Sequence, residues 1–544
     1  MVEPERLPPP APTPAPRPAT VPWHLVAGWL VALALIAPYV LTARHLPDEF
    51  AFCNVAVRLA HGEAFGRDVF CFMMPGPFFV TAALFKLVGA SLFAARALQA
   101  CLIALMGVIY WRLARALGAG RWLALLPALF LLVVIVGAYY YFGHRWFSQG
   151  LVAVTLALVW RALRRETTAA WGLAGVAAGL TYVMQQLDGA ALVAGLAAGT
   201  AWAAWRQGWA LPVAARRLAA AAAGWALPLA LLALAFWAQG VLAEAFYDTH
   251  TWPLTRYRNP GGPNDVPYLT DFAYMFSTTG PWLSRLYWYA STVVILVGPL
   301  LPLGVVVGGL AWLAGLGRRG ERDDPATAML GVLVVVAAMV FLAGLRGRAD
   351  TTHLLAVSMP HVLLLTAAIA RWERWLPAGS SARGLRFVPR LALAAIVAAG
   401  ALRFTERVRL QPADWLTFAT PDARLRHHPS IEAVAKLVRP GDMVLAGIHS
   451  AIFNFYVAPN PSRWVIDWSP PADGYTTAAQ YDELVADVRR KPTRLLIITA
   501  GSQAMADGYV RPLLDQFAPR LIVPNPVPPS AVALQTYVYE RRTP

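Results

Sequence analysis

Two adjacent carboxylates, Asp48 and Glu49, stand in Leu46-Pro47-Asp48-Glu49-Phe50, directly after a long apolar stretch. At a membrane boundary such a pair can bind a divalent cation or take a proton from a hydroxyl as a general base. The plainer alternative is a solvated helix cap. A further acid follows in Gly66-Arg67-Asp68-Val69-Phe70, and Met74-Pro75-Gly76-Pro77-Phe78-Phe79 then breaks the chain and turns it back. Asp48, Glu49 and Asp68 are the candidate catalytic residues. Asp48 and Asp68 are also the candidate ligands of a divalent cation such as Mg2+ or Mn2+.

Two arginine clusters suit an anion. Arg256 and Arg258 lie in Trp252-Pro253-Leu254-Thr255-Arg256-Tyr257-Arg258, and Arg348, Asp350 and His353 in Arg346-Gly347-Arg348-Ala349-Asp350-Thr351-Thr352-His353. Arginine forks match phosphate oxygens bidentately, although arginines that snorkel to lipid headgroups give the same pattern. Asp350 and His353, three residues apart, share one side of a helix, and ionisable residues at a membrane boundary mark substrate sites. Tyr139, Tyr140, Tyr141, Phe142 and Trp146 read as an interfacial aromatic belt. His144 and Arg145 share that turn and are a further place to meet a lipid phosphate.

The elements that position these residues are mostly membrane helices. Hydrophobic residues make up 58% of the 544-residue chain and charged ones 14%, where soluble domains carry roughly a quarter charged. The net charge of +16 is split into short arginine clusters between apolar segments, not a stripe, which argues against nucleic-acid binding. Cys53, Cys71 and Cys101 show no zinc-binding spacing; Cys53 and Cys71 could pair or stay as thiols.

The chain reads as a mainly α, polytopic transmembrane bundle with a small C-terminal α/β domain. Residues 1–22 form a proline-rich tail, 23–404 the membrane domain and 405–544 the extracytoplasmic domain. Spans of about 20 residues fit 23–41, 92–111, 122–141, 146–163, 170–186, 188–205, 212–238, 286–315, 328–345, 352–370 and 388–404, about eleven in all. Residues 76–90 are shorter and fit a surface or re-entrant helix. Every alternate loop is arginine-rich, from Arg112, Arg115 and Arg121 to Arg371, Arg374, Arg383, Arg386 and Arg390. The positive-inside rule then puts the N-terminus in the cytoplasm, and the candidate acids and the C-terminal domain outside. In that domain, Met443–Ala446 and Arg494–Thr499 read as strands, and Ile431–Val438 and Ala478–Arg490 as helices.

In order along the chain, these features resemble the bacterial integral-membrane glycosyltransferases of the C-type fold, the class of protein mannosyltransferases and aminoarabinose transferases. The resemblance rests on Asp48-Glu49 after the first span, the Gly-Arg-Asp and Pro-Gly-Pro-Phe phrases, and Leu87-Val88-Gly89-Ala90-Ser91-Leu92-Phe93-Ala94-Ala95-Arg96. It continues in Gly179-Leu180-Thr181-Tyr182-Val183-Met184-Gln185-Gln186, where Gln185 stands in place of a lysine. It implies a polyprenyl-phosphate-linked sugar as donor and transfer to an extracytoplasmic glycan, lipid or protein at the outer face of the plasma membrane. Asp48 would activate the acceptor or help hold a metal; Arg256, Arg258, Arg348, Asp350, His353, Gln185 and Gln186 would line the substrate site. A non-enzymatic lipid-linked-sugar flippase, or a degenerate transferase fold that only binds, are the alternatives; no clear inverted repeat of the transporter kind is visible.

Reporter fusions test the topology. Fusions after Arg121 and after Arg319 should report the cytoplasm, and a C-terminal fusion the outside. A C-terminal reporter active only in the cytoplasm would place the candidate acids on the wrong face.

Overall fold

The computed structural model describes residues 23–42, 46–257, 265–268, 282–316, 324–375, 387, 390–392, 394–402, 420–464, 476–526 and 534–542. The first helices are α1 (Trp23–Thr42), α2 (Pro47–Ala60), α3 (Gly76–Val88) and α4 (Leu92–Ala116). A broken stretch follows: α5 (Leu125–Leu129), a π-helical turn over Phe130–Ile135, and α6 (Val136–Tyr139). Then come α7 (His144–Arg165), α8 (Thr168–Met184), α9 (Gln186–Gln207), α10 (Leu211–Ala238) and α11 (Leu242–Phe246). The bundle ends with α12 (Trp282–Leu316), α13 (Pro325–Gly347), α14 (Thr351–Ala356) and α15 (Met359–Trp375).

Among the described residues, seven helices are long and apolar enough to cross a membrane: α1, α4, α7, α9, α10, α13 and the Leu296–Gly315 part of α12. Other expected spans take different forms. The 122–141 segment is shorter and divides into α5, the π-helical turn and α6, and 170–186 falls on the 17-residue α8. Residues 352–370 divide into α14 and α15, and the apolar helix Arg390–Leu402 is described only in part. Within 76–90, Gly76–Val88 form the 13-residue α3. The boundary expected near 404 lies beside residues 403–419, outside the described ones.

Glycine sets the closest packing. A Cβ on Gly175 of α8 would sit 2.0 Å from the Ala221 carbonyl oxygen of α10, and one on Gly224 2.1 Å from that of Gly172. Only glycine permits this backbone approach, and small residues substitute in membranes for the missing hydrophobic drive between helices.

The C-terminal region adds α16 (Pro421–Arg426), α17 (Pro429–Ala435), α18 (Ala451–Tyr456), α19 (Ala478–Arg490) and α20 (Gln503–Val510). Among the described residues its strands are β1 (Met443–Ala446), β2 (Thr493–Ala500), β3 (Phe517–Pro524) and β4 (Gln535–Arg541), in the order β1-β2-β4-β3. β1 and β2 are parallel, which requires a crossover, here through α18 and α19; β4 runs antiparallel to both its neighbours. Leu445, Leu496 and Ile498 are buried on the sheet, as their continuous apolar runs demand.

This domain shares its core with the bundle. Phe70 packs on Trp464 at 4.5 Å and on Trp252 at 5.3 Å between ring centroids. Arg463 donates to both oxygens of the fully buried Asp248, at 2.8 and 2.9 Å. Asp422 of α16 accepts from the backbone N–H groups of Leu92 and Phe93, both at 2.9 Å, and so caps α4. The Arg463–Asp248 clasp should therefore govern docking. Arg463→Ala strands a buried carboxylate, an effect of about 3 kcal/mol at the low end for a broken buried pair. Hydrogen exchange across β1 and β2 should accelerate, and exchange unchanged from wild type would show that the clasp bears no load.

Candidate active site

Pro47 opens α2 because its missing N–H is unneeded in the first turn. Two residues on, Glu49 is fully buried and paired with the equally buried Arg96 of α4, with Nε–Oε1 2.8 Å and Nη2–Oε2 2.6 Å. The Phe142 N–H also donates to Oε1 at 2.6 Å, and the Leu46 N–H to Oε2 at 3.2 Å. All four donors converge on one carboxylate, so Glu49 is a fixed strut between α2, α4 and the turn before α7. The sequence places Glu49 beside Asp48 as a catalytic acid or base; in the structure its carboxylate is engaged by these donors.

Asp48 has the opposite surroundings. It is half-buried and has no hydrogen bond or ion pair among the described residues. His449 and Arg348 lie within electrostatic reach. Burial pushes its carboxyl above the ordinary range; His449 and Arg348 pull it back, and Glu49 adds to the rise. An unpaired carboxylate with a raised pKa is suited to accept a proton.

Arg348, just past α13, pairs through Nε with Asp350 Oδ2 at 2.6 Å. Asp350 caps α14, accepting the His353 N–H at 3.0 Å, and also faces His353 Nδ1 at 2.8 and 2.9 Å. Burial would raise the Asp350 carboxyl, but the His353 bond and the charges of His353 and Arg348 outweigh it and hold it well below the usual range. An ionised Asp350 therefore fixes both neighbours. Arg145, buried at the start of α7, approaches the His353 carbonyl oxygen at 3.5 Å. Three basic side chains thus gather at this end of the bundle.

Asp68 does not join Asp48. It accepts the Ala64 N–H at 2.8 Å and pairs with Arg67 at 3.0 Å, while its carbonyl receives Arg58. The Arg67 bond, foremost, lowers its pKa, with the Ala64 N–H and nearby charges assisting against burial. Asp48 begins α2, whereas Asp68 is held by Arg58 near that helix's other end, about 15 Å along the axis. Among the described residues no three His, Cys, Asp or Glu side chains gather in a ligand set. Gln185 caps α9, accepting the Asp188 N–H at 2.5 Å, and Gln186 donates to the Phe72 and Thr249 carbonyls at 3.0 and 3.1 Å. Both glutamines brace backbone. Arg256 is half-buried on the turn Pro253–Tyr257 with no ion pair among the described residues, and Arg258 lies outside them. Cys53 and Cys71 are buried, separate thiols.

His449 carries no sequence signal. It is exposed on the 3-10 turn Ile448–Ser450, held by a 2.7 Å bond between the Ser450 and Thr499 hydroxyls. Asn54 of α2 donates to the Ala451 carbonyl at 2.8 Å, which brings that turn against the helix bearing Asp48.

This architecture is the C-type glycosyltransferase fold. ArnT from Cupriavidus metallidurans bound to undecaprenyl phosphate aligns at a TM-score of 0.52 and 15% identity, over 95% of this chain and 98% of that one. ArnT of the same organism in the apo state aligns at 0.47 and 16%, over 94% and 98%. At 15% identity the first likeness is one of fold. No protein-family model matches the chain, and no curated protein matches it.

The strut makes a stability prediction. Glu49→Ala leaves Arg96 buried without its counter-charge and should cost about 3–5 kcal/mol. Asp48→Asn breaks no bond and should leave the melting temperature within about one degree of wild type, since unpaired surface-accessible changes stay within about 0.5 kcal/mol. Equal melting temperatures for the two variants would remove the distinction between them.

Proposed function

We propose that this chain is a membrane glycosyltransferase that moves a sugar from a polyprenyl phosphate to an acceptor outside the cytoplasm. The observation that carries the reading is Asp48: an accessible, unpaired carboxylate whose electrostatic neighbours are Arg348 and His449. The shared fold with a protein whose structure holds undecaprenyl phosphate supports a lipid-linked donor.

In this reading Asp48 takes the proton of the acceptor hydroxyl. The freed oxygen attacks the anomeric carbon of the sugar, and the bond from that carbon to the phosphate oxygen breaks. Negative charge then grows on the departing polyprenyl phosphate. Arg348 and Arg145 stabilise it, because fixed cations in a poorly hydrated site need no reorganisation as charge develops. His353, held through Nδ1 by Asp350, stands beside Arg145 and Arg348 as the imidazole of this basic group. Glu49, Gln185 and Gln186 act in this reading as positioning residues, through Arg96 and the backbone groups that they bond. His449 brings the C-terminal domain into the site.

Transfer by the purified full-length chain, across a panel of polyprenyl-phosphate sugars, tests this. Asp48→Asn should lose about a hundredfold or more in turnover, the scale of general-base catalysis, with donor affinity nearly unchanged. Arg348→Ala and Arg145→Ala should each weaken donor binding by about ten- to a hundredfold, with partial recovery in the lysine variants. Arg256→Ala belongs in the same series, since a matching loss would add its turn to the phosphate site. Donor binding by the wild type without transfer of any sugar would favour a carrier over an enzyme.

A further inference from the structure

At the other end of the bundle, α12, α13 and α15 line a half-open groove of about 380 Å3. Leu330, on its wall, lies near the start of α13, whereas Arg348 follows that helix's end, about 27 Å away along the axis. The space exists because α12 turns bare backbone toward it. A Cβ on Gly304 or Gly308 would meet nothing within 4 Å, yet one on Gly309 would come within 2.9 Å of Val334. α12 therefore touches α13 at Gly309 and stands open beside it.

The groove has one charged wall. Arg371 of α15 donates through Nη1 to Thr327 Oγ1 at 3.0 Å, and its guanidinium carbon lies 5.8 Å from the centre of a Trp312 ring. A guanidinium carries five N–H donors, and among the described residues those beyond Nη1 have no hydrogen-bond partner. Trp312 and Trp372 both line the same space, and tryptophan favours the headgroup level of a bilayer.

We infer that this groove binds an anionic phospholipid, with an acyl chain against Gly304 and Gly308 and the phosphate diester on Arg371. Small residues spaced like Gly304 and Gly308 also suit a second helix, but a helix would seal the remaining Arg371 donors in hydrocarbon, where unpaired polar groups are costly. A phosphate satisfies them, and basic pockets between membrane helices favour anionic headgroups. The polyprenyl phosphate donor is disfavoured because its chemistry belongs at the far end of α13. That exclusion of the donor rests on the proposed transfer site; the groove and Arg371 do not.

The test uses the full chain in nanodiscs of phosphatidylcholine with a minor fraction of phosphatidylglycerol, with retained lipid counted by native mass spectrometry. Wild type should retain phosphatidylglycerol above its share of the nanodisc. Arg371→Gln should reduce that enrichment about tenfold, the loss of one charge-assisted bond. Gly308→Leu, which grows into open space and removes a helix-weakening glycine, should fold normally and abolish enrichment by filling the groove. Thermal melting of each variant identifies any loss that comes from misfolding, and Gly304→Leu provides a second filling variant. Equal retention in wild type, Arg371→Gln and the leucine variants would overturn the assignment. So would selective retention of added polyprenyl phosphate over phosphatidylglycerol, or a wild-type dimer that Gly308→Leu dissolves.

Discussion

The buried ion pair between Glu49 and Arg96 is the constraint on which the rest of the candidate site depends. Two charges removed from water normally lose more in hydration than they regain by attraction, unless every remaining lone pair finds a donor. Here the Phe142 and Leu46 N–H groups complete the set around Glu49. One carboxylate thereby ties the start of α2 to α4 and to the turn before α7. With Glu49 fixed inside, the preceding residue in the helix must face elsewhere, and Asp48 is left half-buried and unpaired. Adjacent acids of the same chemistry thus take opposite roles, one holding the frame and one available to substrate.

The C-terminal domain completes that frame. Asp422 closes the N-terminus of α4, the helix that carries Arg96, and Tyr456 donates to the same carboxylate at 2.9 Å. Arg463 locks the domain to Asp248, and Arg58 donates to the Ser462 carbonyl at 2.6 Å. These contacts bring His449 within electrostatic reach of Asp48, although the two lie in distant parts of the sequence. Loss of the domain would therefore alter the site as well as expose its apolar core.

Features that depend on local spacing are legible in the sequence. Hydropathy locates the long helices, and the three-residue separation of Asp350 and His353 foretells their meeting at the start of α14. Longer-range features are not. Nothing in Asp48-Glu49 says which acid meets Arg96, because that choice depends on how α2 packs against α4. Asp68 looks like a partner for Asp48 because both lie in one external segment, but α2 is a helix and separates its ends. Gln185 and Gln186 are expected in the substrate site by resemblance, and nothing in their local sequence announces that one caps α9 and the other bonds the Phe72 and Thr249 carbonyls. His449 stands alone in Gly447-Ile448-His449-Ser450, and only the docked domain gives it significance.

The pH dependence of transfer tests Asp48 as the base. Asp48 must be ionised to accept a proton, and its carboxyl is held above the ordinary range by burial. The rate should therefore fall, as pH is lowered, through a pKa above the usual carboxylate value of about 4. Arg348 pulls that pKa down, so Arg348→Ala should move the acid limb to higher pH while Arg348→Lys, which keeps the charge, should leave it nearly in place. An acid limb that stays fixed in Arg348→Ala, or persists unchanged in the residual activity of Asp48→Asn, would contradict Asp48 as the base.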